Sequence, residues 1–126
     1  MEIIKCRFHA LAEADQERVI GRTKPDSVEL EGEGMPADSH VSRTDLKQDG
    51  VAMKLYRRSA PIGSVDAHGL YFLGFACDPL RFEVILNSMF GASGAGAHDR
   101  LMEFSRATTG SFYFAPSENE LQEFLA

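Results

Sequence analysis

A chain of 126 residues suits one domain, long enough to bury roughly two-thirds of its unfolded surface without a disulfide or structural metal. A net charge of −6, with 44% apolar and 25% charged residues, fits a globular chain and argues against a nucleic-acid partner, which needs a basic face. Cys6 and Cys77 are too far apart in sequence to suggest a disulfide framework. No apolar run approaches the ~18 residues of a membrane span, and no secretory segment follows Met1, so the expected setting is cytoplasmic with no membrane partner.

Residues 2–8 fit a short strand or a helix start equally well. Residues 10–21, ALAEADQERVIG, read as a helix stopped by Gly21, with Leu11, Val19 and Ile20 as its apolar positions. Residues 21–40 carry several Gly and Pro and little periodicity, which predicts an extended surface loop. Gln48-Asp49-Gly50 is a turn signal. The following strand, VAMKLYRRS, would alternate: Val51, Met53, Leu55 and Arg57 on the core side, Lys54, Tyr56 and Arg58 on the solvent side. That alternation puts Arg57 at the edge of the interior. GLYFLGFA (69–76) is apolar on both faces and predicts a central strand. In 78–91 the spacing of Phe82, Ile85, Leu86, Met89 and Phe90 predicts an amphipathic helix, with Pro79 in its first turn and Gly91 ending it. ASGAGA reads as a flexible loop. Residues 98–106 predict a further helix with Leu101 and Phe104 facing in, 109–116 a strand, and Ser117 with Glu120 a capping box on a last helix. The expected fold is α+β, an antiparallel sheet with helices packed on one face, in a single domain over 1–126.

Four histidines carry the candidate chemistry. His9 and His68 (the latter in a turn with Asp66) read most simply as structural. His98 precedes Asp99 at a helix start, where a carboxylate caps exposed amides. His40 has a plain reading as a polar loop residue. No His/Cys spacing marks a zinc site. A histidine on a rigid segment, an inward arginine and a helix-borne carboxylate are nonetheless the parts of a haem peroxidase. The imidazole ligates iron, the carboxylate strengthens it as a donor, and the cation stabilises charge on a departing peroxide oxygen. Spacing permits that assembly and does not prove it.

From Gln16 onward the chain resembles the C-terminal half of dye-decolorizing (DyP-type) peroxidases. The segments that carry the resemblance are QERVIGRTKPDSVEL, SHVSRTDL, KLYRRSAPIGS, HGLYFLGFACDP, SMFG and DRLMEFSRATTGSFYFAPS, in the family's order. The resemblance implies a ferredoxin-like sandwich and haem b as cofactor. It implies that His40 is the proximal iron ligand, with Asp99 hydrogen-bonded to it. Arg57 becomes the distal arginine, Ser59 a small polar distal residue, and Phe72 part of the distal haem face. Arg43 would reach a haem edge or propionate, and Met89 and Leu101 would stand in the proximal wall, where core packing explains them equally well. The implied substrates are hydrogen peroxide and a small electron donor such as a dye or a phenol.

Two departures bear on function. The family's proteins have two ferredoxin-like halves sharing one haem, and the first half supplies an aspartate in a Gly-x-x-Asp-Gly motif. Here Asp49-Gly50 is a turn instead, and the family's Pro-Tyr-Gly is Pro61-Ile62-Gly63. The opening MEIIKCRF fits the family poorly, as a split, truncated or rearranged gene would. Half a pocket leaves haem surface in water, and ~200 Å² of it forfeits about 5 kcal/mol of binding. The expected partner is therefore a second copy of the chain or a separately encoded N-terminal half, meeting an exposed apolar patch. Two other readings stand beside the peroxidase: a haem-binding or haem-handling module without turnover, and a haem-free oligomerising remnant.

Overall fold

A computed structural model describes residues 2–3, 5–65, 67–92, 94 and 96–126, with side chains described from residue 7 onward. The expectations placed on Asp66, on the Cys6 thiol, and on positions 93 and 95 of the ASGAGA loop lie outside the described residues.

The ambiguous start resolves into both alternatives, a strand β1 (Glu2–Ile3) followed by a helix α1 (Lys5–His9). Helix α2 (Glu13–Ile20) starts later than the 10–21 pattern suggested. Gly21 ends it at φ 90°, the left-handed conformation that glycine adopts without a Cβ penalty, and its amide donates to the Glu17 carbonyl. Gly21 does a second thing. A Cβ there would lie 2.9 Å from Ser39 Oγ, 2.9 Å from Val41 Cβ and 3.0 Å from Met35 Sδ. The bare Cα thus lets the end of α2 press against the start of the next helix, α3 (His40–Thr44).

Residues 21–40 are more organised than the predicted loop. Arg22 and Glu29 bridge as backbone partners and as an ion pair, a 3₁₀ turn spans Gly32–Gly34, and Ser39 caps α3. His40 is therefore the first residue of a helix, not a loop residue. Beyond α3, β2 (Lys47–Gln48) and β3 (Val51–Ala52) form a two-residue hairpin, with Asp49 at φ 50° and Gly50 at φ 79°.

The long strand expected over 51–59 is broken. Met53 returns its amide to the Leu46 carbonyl, and the Arg81 guanidinium binds the carbonyls of Ala52 and Lys54. These bonds end β3, and pairing restarts in β4 (Tyr56–Gly63) against β5 (His68–Phe75). The main sheet is antiparallel, ordered β4-β5-β1-β6, with β6 at Ser105–Arg106. So β5 is an inner strand, as its apolar sequence predicted, yet both its faces leave large side chains exposed, among them Tyr71, Phe72, Leu73 and Phe75. Helix α4 (Leu80–Met89) begins where Asp78 Oδ1 accepts the Leu80 amide. It packs on α3.

The helix expected over 98–106 is a single 3₁₀ turn, Arg100–Glu103, before β6. Residues 109–116 form no strand. Among the described residues no strand pairs with them, and Phe112, Tyr113 and Phe114 lie largely exposed, although Phe112 meets the ring of Phe82 edge-on. Helix α5 (Glu118–Leu125) carries the predicted capping box, Ser117 with Glu120. Val19, Met53, Ile85 and Phe104 form the buried apolar core, Phe104 stacking edge-on against Phe8, while Leu101 is half-buried.

Gly21→Ala should lower stability by more than about 1 kcal/mol, because it adds a disfavoured φ and a collision at α3. Urea unfolding of the variant beside the unaltered chain measures it.

Candidate functional site

Five residues make too short a helix to hold itself, so α3 depends on its attachments. Ser39 is fully buried and its Oγ accepts from the Ser42 amide. Ser42 in turn donates its hydroxyl to the Pro36 carbonyl, and Thr44 donates to the His40 carbonyl. At the other end the Asp45 amide bonds the Val41 carbonyl, and the Asp45 carboxylate pairs with Lys54. These contacts fix where the His40 ring leaves the backbone.

The ring's partner is Asp99. Its carboxylate is 0% exposed, and Oδ2 lies 2.6 Å from His40 Nδ1. Oδ1 accepts the Leu101 amide at 2.9 Å, capping the 3₁₀ turn. Thus the capping reading and the histidine-partner reading both hold, one for each carboxylate oxygen. A carboxylate accepts hydrogen bonds, so the imidazole donates from Nδ1, and Nε2 has no protein partner among the described residues. Backbone bonds keep Asp99 in place: its amide donates to the Met89 carbonyl at the end of α4, and the next amide, of Arg100, donates to the Asp38 carbonyl just ahead of α3. Met89 and Leu101, both half-buried, thus touch Asp99 through their backbones, Met89 at its amide and Leu101 at its carboxylate.

Arg43 lies three residues beyond His40, a spacing that puts both on one side of a helix. It is only 8% exposed, and its Nε has no hydrogen-bond partner among the described residues. A guanidinium stays charged in a protein, so a buried unpaired donor calls for an anion or another acceptor.

Arg57, Ser59 and Phe72 sit on the sheet. In the β4–β5 register Arg57 opposes Gly74 and Ser59 opposes Phe72, so all four share one face. That face is turned toward α4, because a Cβ on Gly74 would meet the Phe82 ring at 2.9 Å and the Phe72 ring at 3.4 Å. Arg57 falls on the helix-facing side, but the continuous strand from Val51 on which that expectation rested is broken, Val51 is exposed, and Arg57 is not buried. Every residue of β4 is exposed, Arg57 included, although it opposes Gly74, where the Phe82 ring of α4 sits. Phe72 is 49% exposed. On the opposite face Arg58 stacks over Tyr56.

The remaining histidines fall away from this arrangement. His9 ends α1 beside Phe8, His68 opens β5 opposite Gly63, and His98 lies 3.3 Å from Glu103 at the surface. Among the described residues, no group of three or more His, Cys, Asp or Glu could hold a metal ion, and no helix is long and apolar enough to cross a membrane.

A family model described as "Dyp-type peroxidase, C-terminal" matches residues 6–120. The chain belongs to the DyP-type peroxidase family. Dye-decolorizing peroxidases of Mycobacterium tuberculosis and Rhodococcus erythropolis are 40% identical over 113 residues and 33% identical over 119, covering 87% and 92% of this chain. It spans about a third of those relatives, 34% and 35% of their lengths. Among solved structures, a DyP-type peroxidase protein from Shewanella oneidensis superposes with a TM-score of 0.90 at 42% identity, over 98% of this chain and 40% of that one. A dye-decolorizing protein from V. cholerae gives 0.88 at 46% identity, over 97% and 40%. A Rhodococcus jostii DypB variant in complex with heme gives 0.89 at 37% identity, over 96% and 40%. The fold is thus that of the DyP-type family's C-terminal portion, an α+β ferredoxin-like sandwich.

Sequence reasoning missed Ser39, the close approach of Gly21 to α3 and the Asp38–Arg100 backbone bond. A serine directly before a short helix is a readable cap signal; the approach of Gly21 is not, because it joins positions far apart in sequence.

Asp45 offers a pH-dependent check on the anchoring of α3. The Lys54 ammonium donates to its carboxylate and holds it below the usual carboxylate range, against a small opposing effect of burial. The folded-state value is depressed, so the pairing stabilises the fold above the ordinary carboxylate value and the benefit disappears as pH falls through the lowered one. Water screens the pair, so the contribution is small. Lys54→Met should move the Asp45 titration back up toward the ordinary range, read by carboxyl-carbon NMR.

Proposed function

We propose that this chain is the haem-ligating portion of a DyP-type peroxidase that reduces hydrogen peroxide while oxidising a dye or phenol-like donor. The carrying observation is the buried Asp99 carboxylate on His40 Nδ1, which leaves Nε2 available as a metal ligand. The residues present fit haem b. Arg43 is a buried cation with an orphan donor, suited to a haem edge or propionate. Phe72 offers an apolar ring on the helix-facing side of the sheet, and Met89 and Leu101 are half-buried residues bonded to Asp99 through their backbones. The heme complex of the DypB variant supports the choice of cofactor.

His40 would hold the haem iron, which supplies the redox chemistry when bound. Asp99 fixes the tautomer and orientation of His40 and raises its donor strength. Arg57 and Ser59 act from the sheet: the guanidinium stabilises negative charge on a peroxide oxygen, and the hydroxyl holds a water or a proton beside it. A second carboxylate for proton transfer would come from a partner. The exposed rings of Tyr56, Tyr71, Phe75 and Tyr113 and the apolar side of α5 support a covering partner, a separately encoded amino-terminal half or a second copy.

Titrating haem into the purified chain should produce the Soret band of a histidine-ligated iron. His40→Ala should abolish that ligation, and Asp99→Asn should weaken haem binding by about 10–100-fold. A His40→Ala chain with an unchanged spectrum would sink the reading. Arg57→Leu should keep the band but lower peroxide-dependent dye oxidation, assayed with the amino-terminal portion of a relative added, by roughly 10²–10³-fold.

A further inference from the structure

Met35 ends the 3₁₀ turn ahead of α3 and is half-buried. The sulfur lies 3.2 Å from Ser39 Oγ, and 3.0 Å from where a Cβ on Gly21 would stand. Ser39 has one hydroxyl proton and two acceptors for it, Met35 Sδ and, at 3.0 Å, Ser42 Oγ. The Ser42 hydroxyl spends its own proton on the Pro36 carbonyl. The same Ser39 oxygen accepts the Ser42 amide at 3.2 Å, a long bond that caps the helix carrying His40. The cap therefore sits in a balance that a stronger acceptor at position 35 would upset. A thioether is a weak acceptor, and a sulfoxide is polar and larger.

We propose that Met35 is a peroxide-modified site whose oxidation to the sulfoxide releases the cap of α3 and loosens the His40–Asp99 pair. The chemistry needs only peroxide. The sulfur lone pair attacks one peroxide oxygen, an S–O bond forms as the O–O bond breaks, sulfur loses two electrons, and the proton of the attacked oxygen passes to the departing hydroxide, which leaves as water. The new oxygen must fit beside Gly21 and Ser39, which already stand close to the sulfur, and it draws the Ser39 proton from Ser42. Ser39 then turns away from the Ser42 amide. A helix of five residues does not survive the loss of its cap unchanged. The inference goes beyond the proposed peroxidase reading and needs no metal.

The test uses the full chain without added haem, so its failure is separate from a failure of haem binding. The protein is exposed to hydrogen peroxide. Peptide mass mapping follows sulfoxide at each methionine, while proton NMR follows the His40 Nδ1–H signal. The expected result is loss of that signal with the rate constant of Met35 sulfoxide formation, and its return on treatment with methionine sulfoxide reductases. Met35→Leu should keep the signal through the same exposure. The proposal is overturned if Met35 stays reduced while Met89 and Met102 oxidise, if Met35 oxidises with the signal intact, or if Met35→Leu loses the signal as fast as the unaltered chain.

Discussion

One buried carboxylate joins three parts of this chain that are remote in sequence. Asp99 receives the imidazole of α3 on one oxygen and the amide of its own 3₁₀ turn on the other, and it gives its amide to the end of α4. Burying an ion costs several kcal/mol unless its lone pairs are met, and here both oxygens are met. The consequence is directional. A ring held at Nδ1 by a fixed acceptor presents Nε2 along one line only, so the orientation of the possible metal ligand follows from how the loop after α4 is tied down.

Around that bond the molecule divides into a firmly packed part and an open part. Helices α2, α3 and α4 and the turn at Arg100–Glu103 share the small core, with Gly21 permitting the closest approach. The β4–β5 hairpin and the residues from 107 onward extend beyond it, with aromatic side chains bare on both sides of the sheet. Arg57 belongs to the open part. An exposed guanidinium has less electrostatic effect than one in a closed, water-poor site, because water screens it. A layer that kept water from its own face of the sheet would strengthen the same arginine.

What could be read in advance was local. The capping box at Ser117, the hairpin at Asp49-Gly50, the helix at α4 and the stop at Gly21 all rest on residues within a few positions of one another. The period-two pattern placed Arg57 on the helix-facing side of its strand but misjudged burial, since an apolar pattern describes the face a segment prefers and not whether a layer lies there. Residues 109–116 are the sharpest case: their aromatics have strand propensity, yet among the described residues no strand pairs with them. The pairing of His40 with Asp99, 59 positions apart, came from likeness to a family and from no spacing rule. Nor could a pattern have shown that one aspartate serves as both cap and partner.

The most direct measurement is the tautomer of His40, read from the nitrogen-15 shifts of its ring at a pH where the imidazole is neutral. A carboxylate seated at Nδ1 predicts a protonated Nδ1 and a bare Nε2, the form that ligates a metal. A ring carrying its proton on Nε2, with Nδ1 bare, would contradict the bond from which the site is built.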